Sequence, residues 1–287
     1  MKLLVNLFDS EFDHSLKQDG FYTSSWTVKP TLIEYIKNQF EWEGITIFTE
    51  RHLHRVNEID SKFKVAWLLE SPGIYPWSLD AIVDYEDDYN LILTSSPELL
   101  SRGEKYKRVV TGSCRIDKKN RSPFPPKDRL CSIIASNKRQ TVGHKFRHEV
   151  IETCTGFDVW GSGYKSFEDK EDALLRYKFS VCIMNINAIN FFTEVITDCF
   201  FVGTVPIFWG CSNIGEFFDE QGIINFSNIK ELQYILDNLN DDLFQRMEPH
   251  IENNFNIVQD YMSTDDIVAK LLLENISNDK IPTHHFL

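Results

Sequence analysis

The chain has no CxxC pair, no apolar stretch long enough to span a bilayer and no surplus of positive charge. Its six cysteines (Cys114, Cys131, Cys154, Cys182, Cys199 and Cys211) are scattered. That excludes a zinc-ribbon or redox-pair pattern and reads as buried free thiols of a reducing compartment. A membrane-spanning helix needs about 20 apolar residues in succession, and no window approaches that. The opening residues, MKLLVNLFDSEFDH, carry one lysine and too short an apolar run for a signal peptide. A soluble, cytoplasmic protein without a membrane anchor is therefore expected. Thirty basic against 43 acidic side chains leave a formal charge of −13. That field repels nucleic acid and anionic membranes as general partners. A local basic pocket at a helix N-terminus still suits a nucleotide.

What the chain does carry is material for two packed domains. Its 287 residues, 42% of them hydrophobic, are enough for two modest α/β domains. Strands are expected at 3–8, 45–50, 64–70, 91–96 and 108–112, and helices in PTLIEYIKNQF (30–40), PWSLDAIVDYEDDY (76–89) and SPELLSRGEK (96–105). Ser96, Pro97 and Glu98 supply an N-cap, a first-position proline and a first-turn acid. Residues 116–129, IDKKNRSPFPPKDR, are rich in proline and basic residues and show no periodicity. They read as a linker, which gives an N-terminal domain at 1–118, a linker at 119–129 and a C-terminal domain at 130–287.

In the second half, strands are expected at 130–136, 157–163, 178–186, 205–210 and 222–227. Helices are expected in HKFRHEVIETCT, DKEDALLRY and FFTEVITDCFFVG, with a mainly helical tail from Asn228. Strands alternating with helices imply an α/β fold of two Rossmann-like domains with parallel sheets. Ligands then bind at the carboxyl ends of the strands, in a cleft between the domains.

Three segments carry chemistry. In RYKFSVCIMNINAINFFTEVITDCFFVGTVPIFWG (176–210), an apolar strand leads to a helix that starts with Thr193 and Glu194, and a Gly203-Thr204-Val205-Pro206 turn launches the next strand. A carboxylate at a helix start accepts hydrogen bonds from sugar hydroxyls, or serves its own helix dipole. Upstream, Ser136 and Asn137 end a strand, and Gly143-His144-Lys145-Phe146-Arg147 opens a helix. Amides and cations there suit a pyrophosphate, or form a solvated basic face. Gly161 and Gly163 allow a close backbone approach or a tight turn. In the first half, WLLESP delivers Glu70 to the end of an apolar strand that Pro72 stops. If partly buried, Glu70 would have a raised pKa suited to removing a hydroxyl proton; otherwise it is a strand-end acid turned to water.

The long segment resembles the signature of the α-1,3/4-fucosyltransferases, through Tyr177-Lys178-Phe179, Asn185, Thr193-Glu194, Gly203-Thr204-Val205-Pro206-Ile207 and Gly210, in that order. The resemblance runs from about Lys64 through the second domain and is strongest from Arg176 to Gly222. It implies a GT-B architecture and inverting transfer of a sugar, most directly fucose from GDP-fucose, to a glycan hydroxyl, without a metal. Glu70 would be the base. Glu194, Thr193, Phe191, Asn185, Lys145, Arg147, His144, Ser136, Asn137, Gly161 and Gly163 would hold the donor. Two positions depart from the pattern: Met184 stands where the family has glutamate, and Val195 where it has a phosphate-contacting lysine. Phe191 keeps an aromatic ring but lacks the tyrosine hydroxyl. These leave two alternatives, a transferase for another nucleotide sugar or a glycan- or partner-binding protein that has lost the donor site.

Other features point less directly to chemistry. Asp84, Glu86, Asp87 and Asp88 read as the solvated end of a helix, and His52 with His54 lack further metal ligands. The acidic loop Asp9–Asp13 is a candidate acceptor contact.

Overall fold

In the computed structural model of the chain, residues 2–9, 15–16, 21–25 and 28–276 are described, and the chain divides into two compact units, Met1–Ser113 with Ser263–Leu287, and Cys114–Met262. The first unit contains strands β1 (Leu3–Phe8), β2 (Ser15–Leu16), β3 (Phe21–Tyr22), β4 (Ile33–Lys37), β5 (Ile45–Thr49) and β6 (Phe63–Trp67). Helix α1 (Ser78–Asp84), strand β7 (Leu91–Thr94), the short helix α2 (Pro97–Leu100) and strand β8 (Tyr106–Arg108) follow. Six strands make one sheet in the order β4-β1-β5-β6-β7-β8, every pair parallel.

The second unit contains β9 (Arg129–Ile134), α3 (Val142–Thr153), β10 (Asp158–Trp160), β11 (Tyr177–Ile183), α4 (Glu194–Phe201), β12 (Val205–Trp209), β13 (Ile224–Asn225), α5 (Ile229–Asp237) and α6 (Asp241–Val258). Its sheet is parallel in the order β10-β9-β11-β12-β13. Apolar residues of the central strands, among them Ile133, Val181 and Ile207, pack with Val150 of α3, Leu232 and Leu236 of α5 and Ile251 of α6.

The chain then returns to unit 1 as α7 (Thr264–Asn275). A parallel sheet is stable only with both faces covered. In unit 1 the segment 50–58, α1 and α2 cover one face, with Leu53, Val56, Ile82 and Leu99 packed on Phe48 and Ile92. The other face, Leu3, Val5, Ile45, Ile47, Val65 and Leu93, is covered by Val268, Ala269 and Leu272 of α7. Asp265 fixes the docking: its Oδ2 accepts from Thr23 Oγ1 at 2.7 Å and from the Ser24 amide at 2.8 Å. Asp266 Oδ1 takes the amides of Thr31 and Leu32, both at 2.8 Å.

Four expectations change accordingly. The expected boundary at 118 gives way to a division after Ser113, and the segment 119–129 belongs to unit 2. The tail splits as well, because α7 closes unit 1. The segment 30–40 is the sheet-edge strand β4 rather than a helix, since Ile33 and Tyr35 alternate with exposed Glu34 and Leu3 lies opposite Ile33. DKEDALLRY forms only a 3-10 turn at Lys170–Ala173. Glu171 is drawn inward to accept the Asp117 amide at 2.5 Å, and Lys170 reaches Asp198, so tertiary partners override the local helical preference. All six cysteines are free and buried. Among the described residues no helix is long and apolar enough to cross a membrane.

Candidate active site

Unit 2 gathers its expected site residues at the carboxyl edge of its sheet. The amide of Ala135, just past β9, bonds the Trp160 carbonyl at 2.8 Å, which draws the β9 and β10 ends together. Gly161 has φ +115°, and a Cβ there would run into the Ala135 carbonyl. Gly163, at φ +91°, sits against the Asn137 side chain. The two glycines thus serve the approach of this turn to the Ala135–Asn137 segment. Asn137 is exposed and Ser136 half-buried.

Helix α3 starts beside them. Thr141 caps it, with Oγ1 accepting the His144 amide at 3.1 Å while His144 Nδ1 takes the Thr141 amide at 3.3 Å. Burial, with the charges of Arg147 and Lys138, pushes the His144 imidazole down to about 4. His144 is therefore a neutral capping group at pH 7 rather than a cation for phosphate. The Gly143 amide is bound to the Asn185 carbonyl at 2.9 Å, and a Cβ on Gly143 would overlap the Met184 carbonyl. Protein atoms thus occupy two of the amides that a free helix N-terminus would offer an anion. Arg147 is also turned inward: its Nε donates to the Ile183 carbonyl at 2.8 Å and a guanidinium N–H to Asn185 Oδ1 at 3.2 Å. Burial lowers its pKa to about 10, and it stays charged. Lys145 is exposed, as is Arg139, which lies 3.8 Å from Glu152.

The start of α4 gathers four charged side chains, Glu194, Arg115, Lys170 and Asp198. Thr193 is its N-cap, with Oγ1 accepting the Val195 amide at 3.4 Å. Glu194 follows, with Oε1 3.0 Å from the Arg115 guanidinium. Lys170 Nζ donates to the Glu194 carbonyl at 3.0 Å and to the Asp198 carboxylate at 2.6 Å, and the Arg115 amide donates to Asp198 at 2.8 Å. Burial opposes ionisation of Glu194, yet Arg115 and Lys170 hold its carboxyl below the usual range, so it is a carboxylate at neutral pH. Arg115, Lys170 and Asp198 escaped the sequence reading because no local pattern joins residues 83 and 28 positions apart. Phe191 and Met184 are buried, and Met184 packs where a Cβ on Gly210 would lie.

In unit 1, Glu70 lies just past β6 and is exposed, whereas Ser71 is buried. The buried acid is instead Glu50, directly after β5, whose Oε1 accepts the Glu70 amide at 2.6 Å. Burial drives its pKa up to about 8; amides of Glu70, Glu50 and Leu69 oppose the shift and the Glu70 charge adds to it. A sequence signal for Glu50 exists, since ITIFTE and KVAWLLE both run an apolar strand into a terminal glutamate. Downstream of Glu70, Trp77 is 43% exposed and meets the Tyr75 ring edge-on at 5.8 Å.

Asp9 is buried and accepts from Thr49 Oγ1 at 2.6 Å, while residues 10–13 of that acidic loop lie outside the described residues. Glu86 pairs with Arg102 at 2.9 Å, and Asp87 and Asp88 face solvent. Among the described residues no group of three or more His, Cys, Asp or Glu side chains is gathered as metal ligands.

Two α/β units with parallel sheets are the fold of GT-B glycosyltransferases. An α1,3-fucosyltransferase solved with GDP-fucose aligns over 96% of this chain and 91% of its own, with TM-score 0.54 and 15% identity. HepE from Anabaena, solved with UDP, aligns over 96% and 100%, with TM-score 0.57 and 11% identity. In sequence, the chain is similar to the α-(1,3)-fucosyltransferase FucT of Helicobacter pylori, 30% identical over 117 residues. That match covers 39% of this chain and 24% of the relative, so the chain aligns with about a quarter of that protein's length. No family model matches.

Proposed function

We propose that this chain is an inverting glycosyltransferase that moves fucose from GDP-fucose to a hydroxyl of a glycan acceptor. The observation that carries the reading is the ordered motif Tyr177–Gly210 folded as β11, α4 and β12, with Glu194 kept ionised at the start of α4. Unit 2 would hold the donor. Glu194 and Asn185 would accept or donate hydrogen bonds to ribose or sugar hydroxyls, with Thr193 capping the helix that presents Glu194. Arg115, Lys170, Lys145 and Arg147 would neutralise the diphosphate as it departs, and their charge supplies what a metal ion would. Phe191, Met184 and the glycines Gly161 and Gly163 would shape the donor pocket from behind, while Ser136 and Asn137 would border it.

Glu70 of unit 1 is the base in this reading. Its carboxylate takes the acceptor hydroxyl proton, the oxygen bonds to the anomeric carbon from the face opposite the phosphate, and the bond to GDP breaks with inversion. Exposed Trp77 offers an aromatic face to an acceptor sugar. Glu70→Gln should cut kcat by about 100-fold or more, with GDP-fucose affinity within about twofold of wild type.

The apolar Val195 and Met184, with the likeness to HepE solved with UDP, favour one second reading: the same fold serving another nucleotide sugar. Calorimetry with GDP, GDP-fucose, GDP-mannose and UDP-sugars, without added metal, separates the two. Tightest binding of GDP-fucose supports the first reading, and preference for a UDP-sugar replaces it with the second. Binding of none of them removes both and leaves a glycan-binding protein on a transferase fold.

A further inference from the structure

Glu50 is a buried acid to which the mechanism above gives no role. It is 5% exposed, at the end of β5, and its Oε1 receives the backbone N–H of Glu70 at 2.6 Å. The nearby amides of Leu69 and of Glu50 itself also favour the charged form of this carboxyl. Strands β5 and β6 are neighbours with Thr49 opposite Trp67, so one side chain bridges the ends of two adjacent strands. An acid is a costly residue to bury. A strand-end clip alone could be made by a neutral amide acceptor, yet this one is an acid beside another acid.

The surroundings define what Glu50 feels. From its own turn come Arg51, whose guanidinium lies over the Tyr75 ring at 5.5 Å, and His52, set against the Phe8 ring at 6.2 Å. The end of β1 contributes Asp9, held by Thr49 and by Lys37 at 3.6 Å. Helix α1, packed on the same turn, carries Asp80 and Asp84 at exposed positions. The end of β6 contributes Glu70, whose charge adds to burial in holding the Glu50 proton.

We propose that Glu50 is a positioning residue: its carboxyl clips the Glu70 backbone to the end of β5 and aims the Glu70 side chain. This rests on the reading of Glu70 as the base. With Glu50 protonated, the pair carries a single negative charge, on Glu70. As Glu50 loses its proton a second charge develops beside the first, and the acceptor for the Glu70 amide changes from a neutral to an anionic oxygen.

The experiment has two arms, both on the full chain. In the first, the protein is labelled with 15N-glutamate and the Glu70 amide is followed from about pH 5 to about pH 10. The expected result is a titration with its midpoint near 8, lost in Glu50→Gln. A flat wild-type profile, or one unchanged in Glu50→Gln, overturns the proposal. In the second arm, GDP release from GDP-fucose is measured with a panel of disaccharide acceptors. Glu50→Ala should lower kcat about tenfold with donor KM unchanged. Glu50→Gln should recover much of that loss and abolish the step near pH 8. Wild-type kcat in Glu50→Ala overturns the positioning role. Wild-type turnover in Glu70→Gln would instead remove Glu70 as base while leaving the amide titration intact, so the two failures are told apart.

Discussion

Glu50 and Lys127 are two ionisable groups that folding takes out of water, and they act on stability in opposite directions. Glu50 has its pKa raised by burial from 4.5 to about 8. Between those values the unfolded chain has lost this proton and the folded one retains it, so unit 1 loses stability as pH rises from about 4.5 to about 8. Lys127 has its pKa lowered by burial from 10.5 to about 7, while its Nζ donates to the Val202 carbonyl and Thr204 Oγ1, each at 2.7 Å. There the unfolded chain holds the extra proton, so unit 2 gains stability from about pH 7 to about pH 10.5. Denaturant unfolding followed at several pH values should give a falling limb that Glu50→Gln flattens and a rising limb that Lys127→Met flattens. A slope unchanged by either substitution would mean that the group titrates alike in both states. The charged side chains were the least legible part of the sequence. Glu194 announced itself as an acid at a helix start, but Arg115 and Lys170 reach it only through tertiary structure. His144 reads as a cation in sequence and becomes a neutral cap once its ring turns back to Thr141.

Helix starts and strand edges decide where the site sits. Gly143 lets α3 rest on the Met184–Asn185 backbone, so Gly143→Ala must push the helix away from β11. A cost of about 1–3 kcal/mol is expected, with weakened nucleotide binding; a thermal scan together with calorimetry checks both. An unshifted Tm would show that the helix start yields freely. At α4, Thr193→Ala removes the side-chain acceptor of the Val195 amide and should cost about 1 kcal/mol, while Thr193→Ser should cost much less. Strands with one apolar character were legible from sequence: Leu3–Phe8 is a strand over the expected residues. The segment 30–40 was ambiguous because Leu32, Ile36 and Phe40 suggest a helical face while Ile33 and Tyr35 suggest a strand face. Pairing of β4 with β1 favours the second period, and that partner lies outside the local sequence.

At the scale of the molecule, two chain passages join the units, near 113 and near 262. Nothing periodic in the tail says to which sheet its helices belong. α5 and α6 cover unit 2, whereas α7 carries the aspartates that grip Thr23, Ser24, Thr31 and Leu32 of unit 1. A chain ending at 262 should therefore keep hydrogen-exchange protection in β9, β11 and β12 and lose it in β1, β5 and β6. Asp265→Ala should weaken the same three strands more mildly. Equal protection of both sheets in the shortened chain would mean that α7 is dispensable.

The return of α7 also bears on the order in which the molecule is made. A ribosome releases the six strands of the larger unit 1 sheet first, but the helix that seals one of its faces is synthesised after all of unit 2. Unit 2 is a single uninterrupted stretch and can close while the chain is still growing. The nascent N-terminal sheet meanwhile keeps one apolar face uncovered until Val268, Ala269 and Leu272 arrive, and exposed apolar surface of that kind is prone to off-pathway association.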